Sequence, residues 1–398
     1  MAGRDDIVFL GYVVPKEVLK KHLPNGVAGN NMQMNIINGL RKHKGTNITC
    51  ISLLPIAPYP RSKVMWHRKE VLKTENGIEV ILPKFCNLPL IKQFSQSFAV
   101  YREAKRIVGT NPQATILCYN LFPQIGLPMR WLKRKFPQCS ATAIIADPPI
   151  SPYITHNVIS KTLRKLFDRT TIKNISRCDR FIVVNKKVSD FYLNDQPYLV
   201  VDGGIAKPET IPLVEGKKET KNVLFSGALT DYNGIDLLIE AMGFLKDLPI
   251  ELDIYGCGEL EEYIRGKQAE NDRIHFHGFI SNEDIQVKQN ESWLLVNPRK
   301  VDYQISQVTF PSKILEYMLS GTPILSTKLN CFGEEYKDIM LYCDSTPEAI
   351  AQGIRDAYGL DEQEYRSIAL RAQNFVLNER TWDKQTERIA AFLFDRAE

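Results

Sequence analysis

The chain has 398 residues, more than one hydrophobic core usually fills, which predicts two domains of similar size. Hydrophobic residues at 44% and charged residues at 24% describe an ordinary soluble protein. No run approaches the roughly 18 apolar residues of a spanning helix, and Met1 to Asp6 lack the basic-then-apolar order of a signal peptide, so a cytoplasmic protein is expected. The net charge of +5 conceals an asymmetry. Residues 1–200 carry 30 Lys and Arg against 12 Asp and Glu, a balance of +18, and the remainder carries 21 against 34, a balance of −13. A basic first half suits an anionic surface or substrate, although two oppositely charged surfaces that attract each other would give the same count. Eight scattered cysteines, with no CxxC pair and no histidine at ligand spacing, read as reduced thiols.

Along the first half, short apolar runs begin at Ile7, Ile48, Ile78, Ala114, Ala141 and Phe181. Helical segments separate them, beginning near Asn30, Ser97 and Ser160. Short continuous apolar strands alternating with helices predict a parallel sheet covered on both faces, a doubly wound α/β domain. The segment from Ile125, "IGLPMRWLKRKFP", carries Trp131 among Arg130, Lys133, Arg134 and Lys135. Such a helix can lie on an anionic membrane face, or pack inside the domain with a charged outer side.

Residues 201–221, rich in Gly, Pro and Lys, read as a linker. Beyond them the alternation restarts, with runs at Asn222, Ile250, Arg273, Ser292, Thr322 and Ile339. The expected organisation is an N-terminal domain over 1–204, a second doubly wound domain over 205–380, and a last helix over 381–398 packing back across the first. In open α/β sheets ligands bind beyond the carboxyl ends of the strands, so two such domains are expected to face a central cleft and hold one substrate each.

Within the second half, strand ends carry polar or glycine-rich residues at Ser226 and Gly227 with Asn233, at Gly256 and Gly258, and at Asn297 with Arg299, and the start of the Pro311 helix makes a fourth such place. The stretch "FPSKILEYMLSGTPIL" from Phe310 places Lys313 in the first turn of a helix, the wrong end of the helix dipole for a cation. With Pro311 early in the helix, a phosphate between Ser312, Lys313 and the free amides would reconcile this. Glu316 follows on the same face, suited to a sugar diol, and phosphate plus diol describes a nucleotide. A Lys313–Glu316 surface pair is the alternative.

The order of these segments resembles the donor-binding domain of GT-B glycosyltransferases, specifically family 4 and the capsule and exopolysaccharide enzymes near it. The match runs through "LFSGALTDYNGIDLLIEAM", "LDIYGCGELEEYI", "IHFHGFISNEDI", "LLVNPRK" and "FPSKILEYMLSGTPILSTKL". The resemblance implies Glu316 on the ribose hydroxyls, Ser312 and Lys313 on the diphosphate, Gly227 beneath it, and Gly278 and Phe279 at the base. Where family 4 commonly has an Arg and a Lys, this chain has Ala228 and Asn233, and Val308 stands eight residues before Glu316 in place of the family's first glutamate. Lys313 and Arg299 are the cations left to neutralise the diphosphate. In the first half, the segment from Gly26 resembles the family's acceptor-side loop, with Gly29 at a turn and Asn30, Asn31 and Gln33 toward an acceptor sugar. Helix capping by Asn30 is the alternative. Asp147 ends a strand where it can act on the acceptor hydroxyl or bond to its own turn, and Ala146 precedes it where many relatives have a histidine.

The expectation is a transferase that moves a hexose from a nucleotide-diphosphate sugar, UDP favoured, to a glycan or lipid-linked glycan. Asp147, Lys313 and Glu316 would be the catalytic residues, the stereochemistry retaining, with no metal or cofactor, no nucleic acid, and peripheral contact with the inner face of the plasma membrane. An epimerase or hydrolase of the same fold and a non-catalytic glycan- or nucleic-acid-binding protein are the competing readings.

Overall fold

The computed structural model describes residues 5–22, 27–43, 46–89, 91–148, 158–216 and 219–394. Two compact units emerge, one of Met1–Asp202 with Trp382–Glu398, the other of Gly203–Thr381.

All twelve apolar runs form strands. In the first unit the sheet runs Tyr198–Val200, Arg180–Val183, Ser140–Ile145, Thr115–Tyr119, Asp5–Gly11, Thr46–Ser52, Glu79–Leu82, Glu70–Lys73. Seven strands are parallel, and Glu70–Lys73 is an antiparallel edge, so the all-parallel expectation is corrected there. That strand is mostly exposed and lacks the buried apolar character of the others. The chain order reverses between Asp5–Gly11 and Thr115–Tyr119, which makes that junction the switch point where open α/β sheets bind ligands. The last helix, Trp382–Phe394, joins this unit's core through Ile389, Ala390 and Leu393 and packs on the helix Val27–Lys42. Gly39 permits that approach, since a Cβ there would lie 2.2 Å from Thr386 Oγ1.

In the second unit the sheet runs Ile274–Gly278, Ile250–Tyr255, Lys221–Ser226, Leu294–Asn297, Ile324–Thr327, Leu341–Cys343, all parallel. Successive side chains of a strand point to opposite faces. Accordingly Val223 and Phe225 join one apolar cluster and Leu224 joins another, so the sheet is buried on both sides. Its switch point lies between Lys221–Ser226 and Leu294–Asn297. Among the described residues no helix is long and apolar enough to cross a membrane.

Candidate functional site

At the second unit's switch point the strand Lys221–Ser226 runs into Gly227, whose φ of 147° lies in a region open to glycine. A Cβ at Gly227 would lie 3.5 Å from Lys313 Nζ. The Lys313 ammonium sits 3.9 Å from the centre of the Phe225 ring. It is buried and has no hydrogen-bond acceptor among the described residues. Burial, with the nearby Arg299 charge, pushes its pKa down to about 7, and only Glu316 acts in the other direction. The surface-pair reading is thereby corrected, because Lys313 forms no ion pair among the described residues and its charged end is buried.

Arg299 is the second buried cation, 5% exposed, and its pKa is lowered by burial. It donates to Ser306 Oγ at 3.0 Å and Thr309 Oγ1 at 2.7 Å, and lies over the Tyr232 ring at 5.3 Å. No carboxylate pairs with it among the described residues. A buried cation without a counter-charge is expensive, so two neighbouring ones make a strong demand for an anion.

The helix is shorter than the sequence suggests. It spans Lys313–Leu319, with Ser312 as its cap and Pro311 outside it, accepting from the Ile314 N–H. Seven residues sum to a weak dipole, so the positive potential comes from the two side chains. Ser312 and Glu316 are exposed, and the Glu316 carboxylate has no hydrogen-bond partner among the described residues. Protein packed around that carboxylate still raises its pKa, against the opposing pull of Lys313.

Three of the expected donor contacts are corrected. Ser226 Oγ lies 3.2 Å from Tyr317 Oη and accepts from Gln289 Nε2 at 3.2 Å, so its hydroxyl is used inside the unit. Asn297 is fully buried and donates to Ser326 Oγ at 2.9 Å. Asn233 Nδ2 donates to the Ala228 carbonyl at 2.8 Å and to Thr230 Oγ1 at 3.0 Å. The Ser226 hydroxyl and the Asn233 amide are thus used within the unit, and Asn297 is buried with its Oδ1 lacking a partner among the described residues. Gly256 packs on Gly227 so tightly that a Cβ would fall 1.9 Å from the Gly227 carbonyl oxygen. Its N–H donates to the Gly278 carbonyl at 2.8 Å, and the Gly227 N–H to the Tyr255 carbonyl at 3.0 Å. The glycines thus admit a close neighbour without offering their amides. Phe279, beside Gly278, is 75% exposed.

The first unit's switch point differs. The helix Val27–Lys42 begins before Asn30, so Gly29 is helical and Asn30 is not its cap. Asn30 latches onto one backbone residue, accepting from the Val14 N–H at 2.9 Å and donating to its carbonyl at 3.1 Å. Gln33 accepts from the Tyr12 N–H at 2.8 Å and donates to the Gly29 carbonyl at 3.0 Å. Acceptor contact by Asn30 and Gln33 is therefore corrected to a structural role. Asn31 remains half-buried.

Asp147, just past the strand Ser140–Ile145, is held by a residue the sequence reading missed. Asn120 donates to Asp147 Oδ2 at 2.9 Å, while its own oxygen accepts the Ala146 and Asp147 N–H groups, both at 3.0 Å. Asn120 has a φ of 51°, a left-handed conformation that asparagine tolerates better than most residues. Burial raises the Asp147 pKa and the Asn120 bond lowers it. The phenols of Tyr12 and Tyr119 are pushed up by burial and by the Asp147 charge. His156, the histidine nearest Asp147 in sequence, lies outside the described residues. Among them, no group of three His, Cys, Asp or Glu side chains is placed to share a metal ion.

Residues 220–359 match the model of the family described as glycosyl transferases group 1. An uncharacterized glycosyltransferase of Methanocaldococcus jannaschii is 26% identical over 174 residues. That alignment covers 42% of this chain and 42% of that protein, so the chain matches under half of this relative's length. Among solved structures, sucrose-phosphate synthase from Thermosynechococcus elongatus matches with a TM-score of 0.67 at 14% identity, covering 98% of each chain. Anabaena HepE in complex with UDP-glucose matches with a TM-score of 0.63 at 15% identity, covering 98% of this chain and 99% of that one. A glycosyltransferase from Rickettsia africae gives 0.64 at 14% identity, over 99% of this chain and 100% of that one. The chain thus has the fold of the GT-B glycosyltransferases, built from two Rossmann-like units, and its second unit is similar in sequence to the group 1 glycosyl transferases.

Proposed function

We propose that this protein is a glycosyltransferase that takes a hexose from a nucleotide-diphosphate sugar, with UDP as the nucleotide. The observation that carries the reading is Lys313: a buried ammonium beside Gly227 with no acceptor among the described residues, near a second cation that has no acid partner among them. A diphosphate supplies the missing counter-charge. As the bond from the sugar's anomeric carbon to the diphosphate breaks, charge builds on the leaving oxygen, and preorganised cations in a water-poor site stabilise it. In this reading Lys313 and Arg299 do that work without a metal, and Ser312 adds an exposed hydroxyl. Glu316 accepts hydrogen bonds from the ribose diol, and the Gly278–Phe279 turn meets the base. Asp147 accepts a hydrogen bond from the acceptor hydroxyl, with Asn120 favouring its ionised form. The preference for UDP is supported by the bound UDP-glucose in the HepE structure. Retention of anomeric configuration and a glycan or lipid-linked glycan acceptor follow from the family resemblance and the basic first half.

The test is thermal shift against UDP, GDP and single-stranded DNA, followed by a donor screen that reads release of nucleoside diphosphate. UDP is expected to stabilise the protein, and Lys313→Ala and Glu316→Ala to abolish the shift. Stabilisation by DNA alone, or by UDP equally in Lys313→Ala, would overturn the reading.

A further inference from the structure

The helices Lys92–Val108 and Pro123–Lys135 of the first unit pack side by side, and their outward side presents aromatic rings to solvent. Phe94 is 70% exposed, Phe98 61% and Trp131 36%. Positions 91, 94, 98, 101 and 105 fall on one stripe of the first helix by the 3.6-residue period, so Ile91, Phe94, Phe98 and Tyr101 share a side with Lys105. Trp131 stands edge-on to Tyr101, with ring centres 5.5 Å apart and planes at 81°. Phe98, Tyr101, Trp131, Arg134 and Lys135 line one shallow groove. The second helix packs into the unit through Ile125, Met129 and Leu132, which are buried, while Trp131 faces out.

The charge on this side is one-signed. The two helices hold eight Lys and Arg and a single acid, Glu103. Glu103 is buried and already engaged by Lys69, Arg102 and Arg106. Lys105, Arg134 and Lys135 are exposed and pair with no acid among the described residues. Rings flanked by uncompensated cations match the boundary of an anionic bilayer, where aromatic rings sit at head-group level and cations meet the phosphates. A second copy of the chain would bring like charges together.

We infer that this two-helix face is a docking surface for an anionic lipid bilayer, seated through Phe94, Phe98 and Trp131 and held by Lys105, Arg134 and Lys135. The inference deepens the lipid-linked-acceptor part of the proposed function by giving that acceptor's membrane a place on the first unit.

The test uses the full chain and vesicles of phosphatidylcholine with phosphatidylglycerol, against phosphatidylcholine alone. Binding is expected only to the anionic vesicles. Arg134→Glu with Lys135→Glu should lower the partition coefficient about thirtyfold or more, since each cation near such a surface contributes about a factor of five. Phe94→Ser with Phe98→Ser should lower it about tenfold. Both pairs sit on exposed positions, so melting temperature and the UDP-induced shift should stay at wild-type values. Brominated lipid should quench wild-type tryptophan fluorescence, and Trp131→Phe, not Trp66→Phe, should remove that quenching. Equal binding to both vesicle types, quenching lost in Trp66→Phe instead, or binding to DNA with none to vesicles would overturn the inference. A wild-type dimer that Phe94→Ser with Phe98→Ser converts to monomer would also overturn it, assigning the face to a chain–chain contact. Vesicle binding as expected in a protein that binds no nucleoside diphosphate would sink the transfer reading and leave this surface standing.

Discussion

The two units repeat one architecture and finish it in opposite ways. At the first unit's switch point the buried polar groups satisfy one another: Asn30 closes on Val14, Gln33 on Tyr12, and Asn120 on the turn at Asp147. At the second unit's switch point Lys313 Nζ is buried with no acceptor among the described residues, and Arg299 has no acid. Buried polar groups that satisfy one another fix loops. An uncompensated buried cation costs stability, which an anionic ligand returns on binding. The contrast separates polar residues satisfied by the scaffold from buried cations that are not, and the proposed function assigns the latter to a substrate, a distinction the residue types alone do not make.

Asn30→Ala gives the sharpest test of the scaffold side. It strands a buried N–H and a buried carbonyl of Val14, and each such group costs about 1–3 kcal/mol. Stability should fall by about 3 kcal/mol in denaturant titration, with no change in UDP affinity per folded molecule. A stable Asn30→Ala protein with weakened acceptor binding would return Asn30 to the substrate.

Lys313→Met is the opposite case. Affinity for UDP should fall about a hundredfold, as for loss of a charge-assisted contact. Stability without ligand should rise by about 1 kcal/mol or more, because a desolvated charge is replaced by an apolar chain of similar length. Isothermal calorimetry and denaturant titration read the two effects separately. Loss of both affinity and stability would mean that Lys313 is structural.

The pH dependence follows from the same group. Lys313 titrates near pH 7 in the folded chain and near 10.5 when unfolded. Below pH 7 both states carry the proton and the folded state bears the full penalty. Between about 7 and 10.5 only the unfolded state holds the proton, so this group's contribution makes the ligand-free protein more stable as pH rises. Diphosphate binds the charged form, so UDP affinity should fall up to about tenfold per pH unit above 7. Lys313→Met should lack both trends. A flat affinity profile in the wild type from pH 7 to 9 would contradict the assignment.

Much of the fold was legible in the sequence because a parallel sheet buried on both faces leaves continuous apolar runs, and all twelve became strands. The edge strand Glu70–Lys73 escaped because it is mostly exposed and carries no such run. Lys313 and Glu316 stood out because a cation in a helix's first turn is locally anomalous. What set their environment was not local: Phe225 and Gly227 approach from far along the chain. Asn30 and Gln33 misled for the same reason, since their partners are the backbones of Val14 and Tyr12 on a preceding segment. Ser226, Asn233 and Asn297 are polar residues at strand ends, and only the packing shows that Ser226 is engaged by Tyr317, Asn233 by the Ala228 carbonyl, and Asn297 Nδ2 by Ser326.

Asn120 belongs to both sides of the comparison, being a satisfied scaffold residue whose amide ends on a carboxylate proposed to touch substrate. Asn120→Gly keeps the left-handed backbone accessible while deleting the clamp, so it isolates the side chain. Without the amide donor the Asp147 pKa rises further, because that hydrogen bond is what opposes the effect of burial. An ionised Asp147 is what the acceptor hydroxyl needs, so the acid limb of the kcat profile should move to higher pH. At the wild-type optimum kcat should fall about tenfold, at the low end for a positioned acid–base group. Donor KM should hold, since the proposed diphosphate-binding residues belong to the other unit. Asn120→Asp keeps an acceptor for the two backbone N–H groups but sets a second carboxylate against Asp147, and should shift the acid limb further than glycine does. A uniform loss of kcat with an unmoved pH profile would reduce Asn120 to a structural latch like Asn30, and would remove Asp147 from the reaction as well.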